Sequence, residues 1–258
     1  MAGSIGVERL LIAYGLLFLR CAGILVALPG PAGISVPAKL RLGLAALLAF
    51  LLAPATMVLV PARNMAAPII IAGAAVREIV FGLGIGIFVQ MIYAVALSAG
   101  EAVGLSMELN SSAIIRPGAA EGFSPNILAD AFSATSAAIF FLAGCHRALL
   151  GVLIASLHFP LGTPGDLFQA GLLAISKDFF QMMFILAAPL VLPLFVVAVA
   201  QGVVARLVPQ VNVMFSGVAA LIAAGVLLFY YDAGLVIRLI SRQLGEAMAT
   251  LATLANRV

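Results

Sequence analysis

Residues Ser98 to Ser124 read SAGEAVGLSMELNSSAIIRPGAAEGFS, and long apolar blocks lie on both sides of them. The stretch holds Glu101, Glu108, Arg116 and Glu121, together with Gly100, Gly104, Gly118 and Gly122. In a chain that is 64% hydrophobic and 9% charged, this is a dense island of polar and flexible residues. The pattern predicts a helix through Gly100 to about Glu108, then a loop ending near Pro125. Two readings stand for the loop: a solvated link between helices, or a segment with a task, such as a plug or gate. Length favours the second, because structureless loops beyond about 12–15 residues are uncommon in compact proteins.

Working outward, the composition sets the class. The chain has 258 residues and no Trp, with a mean hydropathy of +1.24. That excludes an ordinary soluble domain and places the chain among membrane proteins. The apolar runs are continuous rather than alternating, which excludes a transmembrane barrel. The expected class is all-α, with several spans of about 20 apolar residues each. The net charge is +3 without a Lys/Arg cluster, so nucleic acid is not an implied partner. Cys21 and Cys145 both sit in apolar runs and read as buried free thiols. Arg9 precedes an apolar run to about Leu28 that has no A-x-A site, so this segment is expected to be retained rather than cleaved.

The first apolar segment, Leu10 to Leu28, ends at Pro29, Gly30, Pro31 and Gly33. The next helix opens at Pro37 with Lys39 and Arg41 in its first turn. Cations there oppose the helix dipole and require a compensating acceptor, such as an acidic partner or lipid phosphate. The run Ile79 to Ala99 carries Gly82, Gly86, Gln90, Ala94 and Ser98 at four-residue spacing, one smooth face bearing one amide. Such a face lets another backbone approach closely, either within the chain or from another subunit. Beyond the central loop, Asn126, Asp130 and Ser133 form a polar face on a helix expected to reach past Arg147, with His146 read as a core residue. A turn is expected from Leu157 to Asp166 and a mixed segment from Leu167 to Asp178. The long run Phe179 to Val204 is expected to kink at Pro189 and Pro193. RLVPQVN (Arg206 to Asn212) reads as a polar break. A helix over Val213 to Tyr231 and an amphipathic segment from Leu235 to Val258 follow, the latter's apolar face on Ile237, Ile240, Leu244, Met248 and Leu251.

Charges complicate a simple polytopic picture. The connections after the first two apolar runs both carry basic residues, so the positive-inside rule selects no orientation. Arg20, Arg77, Glu78 and Arg147 sit within or beside apolar helices, where charges normally face protein or a water-filled path. Enzymatic motifs are missing: there is no HExxH, no GxxxxGK[ST], and neither Ser106 nor Ser124 lies in G-x-S-x-G. The chain is therefore read as a non-enzyme, with no catalytic, cofactor or metal residues.

Several blocks, taken in order, resemble the FliR family of flagellar biosynthesis proteins and its injectisome relatives. They are FLRCAGILVALPGPAGISVPAKLRLGLA (Phe18 to Ala45), REIVFGLGIGIF (Arg77 to Phe88), AGEAVGLSM (Ala99 to Met107), HRALLGVLIASLHFPLG (His146 to Gly162) and APLVLPLFVVAVAQGVVARLVPQVNVMFSG (Ala188 to Gly217). The resemblance implies a subunit of the type III secretion export gate. With the P and Q gate subunits it would form a gated channel that exports unfolded flagellar proteins across the bacterial inner membrane, at the flagellar basal body. It implies a P-like part over residues 1–200 and a Q-like helical hairpin over 201–258. A central plug loop of about 109–125 follows from it too. The plug residues carried over are Asn110, Ser111, Ser112, Ile114, Ile115, Arg116, Pro117 and Phe123; family members often have Asp before the loop proline, where this chain has Arg116. Subunit packing would involve Gly82, Gly86, Gln90, Arg206, Pro209, Gln210 and Asn212. Other partners implied are a proton-driven export protein, unfolded substrates and membrane lipid. The competing readings are the equivalent injectisome subunit, a polytopic transporter of small solutes with Arg77–Glu78 as coupling pair, and a purely structural membrane scaffold with no path.

Overall fold

The computed structural model describes residues 2–28, 36–56, 68–109, 126–156, 166–208 and 213–256. Every regular element among these residues is an α-helix: α1 (Ala2–Ala27), α2 (Ala38–Thr56), α3 (Pro68–Ser106), α4 (Ile127–Leu142), α5 (Cys145–Ala155), α6 (Asp166–Leu207) and α7 (Val213–Asn256). The protein is an all-α integral membrane protein. Four helices, α1, α3, α6 and α7, are long and apolar enough to cross a bilayer, and the bent pair α4–α5 adds a fifth candidate.

The core is built around α3, which touches α1, α4, α6 and α7. Its contact with α1 is close because glycines face each other. A Cβ on Gly23 would lie 2.8 Å from Leu83 N, one on Gly86 would lie 2.6 Å from Ile24 O, and one on Gly82 would collide with Arg20 O. Small residues at a helix crossing allow backbones this near. Helix α2 packs on the other side of α1, where Ala49 and Ala53 meet Leu17, Leu10 and Tyr14. Leu186, Leu190 and Leu194 of α6, at four-residue spacing, are fully buried, while Phe180, Phe184, Leu192, Phe195 and Val199 of the same helix face outward. The α6–α7 hairpin is joined by two amide bonds: Gln201 Nε2 donates to Gly217 O at 2.9 Å, and Gln243 Nε2 donates to Met182 O at 2.8 Å.

The structure departs from the sequence expectations at several points. The helix expected to pass Arg147 instead breaks after Leu142, and α4 and α5 meet at 65°. The cause is Gly144, which takes φ +72° and cannot continue a right-handed helix. His146 is exposed rather than in the core, and its ring lies 5.7 Å from that of Phe141. In the other direction, α6 runs unbroken from the expected mixed segment through Pro189 and Pro193. Helix α7 likewise joins two expected pieces, because Asp232 and Gly234 alone do not break a helix with no proline. The residue-200 boundary thus falls inside α6. The buried face of the C-terminal half of α7 is Val236, Ile240, Leu244, Ala247 and Met248, with Ile237 turned outward. The basic start of α2 also finds its acceptor: Arg41 Nη1 donates to Val26 O at 2.7 Å. That carbonyl belongs to the last turn of α1, the negative end of that helix, so the acceptor comes from the chain itself.

Candidate functional site

The end of α3, which carries the start of the polar central stretch, meets Asn126. Helix α3 ends at Ser106; Met107 and Glu108 form a turn, and Glu108 takes φ 55°, a left-handed conformation that stops the helix. Asn126 has an extended backbone (φ −108°, ψ 103°) and caps α4. Its Oδ1 accepts from Leu128 N at 3.1 Å, satisfying a donor that the first turn leaves open. Its Nδ2 reaches back to α3 and donates to Gly100 O at 3.3 Å and Glu101 O at 3.2 Å. Those carbonyls have a second lone pair available beyond their helical bonds.

Two glycines of α3 make this junction possible. A Cβ on Gly100 would lie 2.7 Å from Ala129 Cα, and a Cβ on Gly104 would overlap the Asn126 amide itself. Asn126 is 1% exposed, so its amide sits in a fitted slot rather than in solvent. Met107 is buried directly below, its Sδ 2.5 Å from where a Cβ on Gly225 of α7 would stand. Phe132 of α4 also meets Phe229 of α7, with ring centroids 6.1 Å apart. The end of α3, the start of α4 and the middle of α7 therefore meet at one junction.

A second polar node lies deeper. Arg20 of α1 is 2% exposed and Glu78 of α3 is 1% exposed. Arg20 Nε donates to Glu78 Oε2 at 2.5 Å and Nη2 to Oε1 at 3.1 Å, a fork-on-fork pair. The remaining nitrogen, Nη1, donates to Ser156 O at 2.6 Å and Ser156 Oγ at 3.0 Å, beyond the end of α5. The guanidinium carbon also stands 4.9 Å from the centre of the Phe81 ring. One cation thus ties α1, α3 and α5 together, and Gly82 allows the α3 backbone to rest on that of Arg20.

The predicted site residues are distributed as follows. Gly82 and Gly86 are buried against α1 of the same chain, so the intramolecular alternative accounts for both. Gln90 and Arg206 are exposed on the outside of the chain. Asn110, Ser111, Ser112, Ile114, Ile115, Arg116, Pro117 and Phe123 lie outside the described residues, as do Pro209, Gln210 and Asn212. Glu78, half of the Arg77–Glu78 pair named in the transporter reading, is paired with Arg20 of α1. Cys21 and Cys145 are free and buried. No group of three or more His, Cys, Asp or Glu among the described residues could hold a metal ion. Sequence reasoning missed the pairing of Arg20 with Glu78 and Ser156, which are far apart in the chain. It placed Asn126 on a polar face without its capping role, although Asn at a helix start after Ser124-Pro125 is an N-cap signal.

Comparison with known proteins supplies the family. The model of the bacterial export proteins, family 1, matches residues 11–247. The chain is 28% identical over 199 residues to the flagellar biosynthetic protein FliR of Escherichia coli K12, covering 74% of this chain and 73% of that protein. Similarity to the flagellar biosynthetic protein FliR of Caulobacter vibrioides is 26% over 208 residues, with 78% and 80% covered. With the flagellar biosynthetic protein FliR of Bacillus subtilis it is 30% over 221 residues, 82% of each. A match over nearly the whole length, on an all-α membrane fold with its polar groups gathered at two interhelical nodes, means that the chain belongs to the bacterial export proteins, family 1, the family of the FliR proteins.

Proposed function

We propose that this chain is a subunit of a flagellar type III export gate in the bacterial inner membrane, at the flagellar basal body. With P and Q subunits it forms a gated path for unfolded flagellar proteins. The observation that carries this reading is the outward surface of α6. Between Phe179 and Leu207, only Leu186, Ala187, Leu190 and Leu194 are buried within the chain. Large exposed apolar side chains run along α6 from Phe180 to Val208 just past its end; at 1.5 Å per residue this is about 42 Å. Fitting it into a hydrocarbon core of about 30 Å requires a tilt of about 44°, beyond the usual range of about 0–40°. Adjoining subunits cover the remainder more readily than lipid does. Exposed Gln90 and Arg206 fit the same explanation, since both are costly against lipid and satisfiable against protein.

Within that assembly, residues 110–123 act as the plug, with Ile114, Ile115 and Phe123 as its apolar contacts. Residues 1–200 take the P-like role and 201–258 the Q-like role, with Pro209, Gln210 and Asn212 in subunit contacts. The chain provides no energy source, so a proton-driven export protein and other components supply it. The test is native mass spectrometry of the tagged chain, co-expressed with its genomic neighbours and extracted in mild detergent. A hetero-oligomer with two smaller apolar subunits supports the reading. A monomer or homo-oligomer despite expression of those neighbours overturns it.

A further inference from the structure

A groove of about 320 Å³ opens between α6 and α7. Its apolar wall is Met182, Ile185 and Leu239, and its polar wall is Arg242, Gln243 and Glu246. The bond from Gln243 Nε2 to Met182 O ties the two walls together. The groove stands where the outer surface changes character. Along α7, large apolar side chains are exposed at Val226, Leu227, Leu235 and Ile237. From Arg238 to Thr250 none is, and Arg238, Ser241, Arg242 and Glu246 take their place. In a membrane protein such a step marks the level at which hydrocarbon gives way to headgroups.

The polar wall presents both signs of charge. Arg242 Nε donates to Glu246 Oε1 at 2.7 Å. Among the described residues, the two terminal nitrogens of Arg242, Glu246 Oε2 and Gln243 Oε1 carry no further hydrogen bond. Paired guanidinium nitrogens suit a phosphate, which they grip as a fork. The two free acceptors suit N–H donors beside that phosphate. An anionic lipid would satisfy Arg242 but bring its net charge against Glu246. The quaternary ammonium of phosphatidylcholine has no N–H for either acceptor. Arg238, one turn earlier, donates to Gly234 O at 3.1 Å and is not part of the wall.

We propose that this groove binds phosphatidylethanolamine, with the phosphate on Arg242, the primary ammonium on Glu246 and Gln243, and the acyl chains running past Ile185 toward exposed Phe184 and Ile237. The bound lipid fastens this end of the α6–α7 hairpin to one leaflet and fixes its depth. The site rests on the membrane class of the fold and not on the export-gate reading, which concerns the length of α6 beyond one bilayer.

The test places the complex extracted with this chain in phosphatidylcholine nanodiscs. These carry traces of phosphatidylethanolamine, phosphatidylcholine or phosphatidylglycerol with a diazirine on the acyl chain. Light-induced lipid adducts on the peptides around Phe184 and Ile237 are counted by mass spectrometry. Phosphatidylethanolamine should exceed phosphatidylcholine several-fold. Arg242→Gln and Glu246→Gln should each lower its labelling about fivefold, the equivalent of about 1 kcal/mol for one charge at a headgroup. Glu246→Gln should raise labelling by phosphatidylglycerol. Both variants should melt with the wild type, because the pair is 77% and 54% exposed; the loss is then one of binding, not of folding. Equal labelling by the three lipids overturns the proposal, since the groove then holds ordinary boundary lipid. Phosphatidylglycerol ahead of phosphatidylethanolamine in the wild type overturns the headgroup assignment. A Gln181→Cys crosslink to another polypeptide, with no lipid adduct, overturns the lipid site in favour of a subunit contact. The composition of the complex decides the gate reading separately.

Discussion

Replacing Arg20 by Met, Glu78 by Leu, or both, tests whether the buried node is a coupled unit. Each charge is almost fully removed from solvent, at 2% and 1% exposure. Removing one partner leaves the other buried and uncompensated, at a cost of about 3–5 kcal/mol. Removing both eliminates the desolvation problem, and apolar replacements of similar volume are often neutral. What remains is the loss at Ser156, whose carbonyl and hydroxyl give up contacts of 2.6 and 3.0 Å with the guanidinium. Leaving such a buried acceptor unsatisfied costs about 1–3 kcal/mol. The double variant should therefore be more stable than either single variant or close to the better of them, with a coupling of at least about 3 kcal/mol in a double-mutant cycle. With no Trp in the chain, a thiol-reactive dye is the suitable probe, since both cysteines are buried until the fold opens. At about 2–4 °C per kcal/mol, the single variants should melt about 6–20 °C below wild type. Additive losses, with the double variant falling by the sum of the two, would refute the argument that the pair acts as one.

The glycines differ in what stands against them, and substitutions should rank accordingly. Gly86→Leu and Gly82→Ala meet α1 backbone, so the chain itself should lose about 1–3 kcal/mol or more before any assembly step; wild-type melting of either variant would show that α1 and α3 are not in close contact. At Gly225 the nearest atoms to a new Cβ all belong to the side chain of Met107, which has three rotatable bonds, so Gly225→Ala should be clearly milder by the same assay. Gly144→Ala forces an L-residue to φ +72° and should cost about 1–2 kcal/mol, read as a lower melting temperature. Gln201→Leu and Gln243→Leu each remove one interhelical bond of the α6–α7 hairpin, worth about 0.6 kcal/mol and at most about 1.7. Accelerated protease cleavage between α6 and α7 in the double variant, and little in either single one, would be the outcome to expect.

The helical class was legible because continuous apolar runs of this length leave the backbone one way to satisfy itself in lipid. Breaks were less so. The mixed segment before Phe179 gave little sign that it continues into α6, and Ala143-Gly144 gave little sign of the 65° turn that it makes. A helical glycine and a left-handed glycine look alike in sequence, since the difference depends on what packs behind them. The small-residue stripe was recognised on α3, but its partner was not, because Gly23 contributes a single glycine among apolar residues on α1. Arg20 and Glu78 were each marked as charges that must face protein, and both do. That they face each other, across 58 residues, is information that only the α1–α3 crossing carries.

The distribution of polar and apolar groups favours a chain that joins others over one that stands alone in lipid. A solitary polytopic protein would direct its apolar side chains to lipid over one bilayer thickness and keep amides and charges inside. Here the strongest polar contacts are indeed internal: Arg20 with Glu78 and Ser156, and Asn126 with α3. Yet the exposed surface of α3 mixes Ile69, Val76 and Val80 with Gln90 and Glu101, and Leu105 follows among them. From Ile69 to Leu105 the helix covers about 54 Å, nearly twice a hydrocarbon core of about 30 Å. If lipid covers the Ile69 end, then Leu105 and its neighbours lie outside it; if lipid covers the Leu105 end, it also meets Glu101. Neither placement suits an isolated chain, whereas a neighbouring helix with its own small and polar residues would satisfy both ends at once. Cysteine crosslinking from Gln90 should then capture a different polypeptide in the native membrane. Capture of lipid-soluble probes alone at that position would contradict this argument.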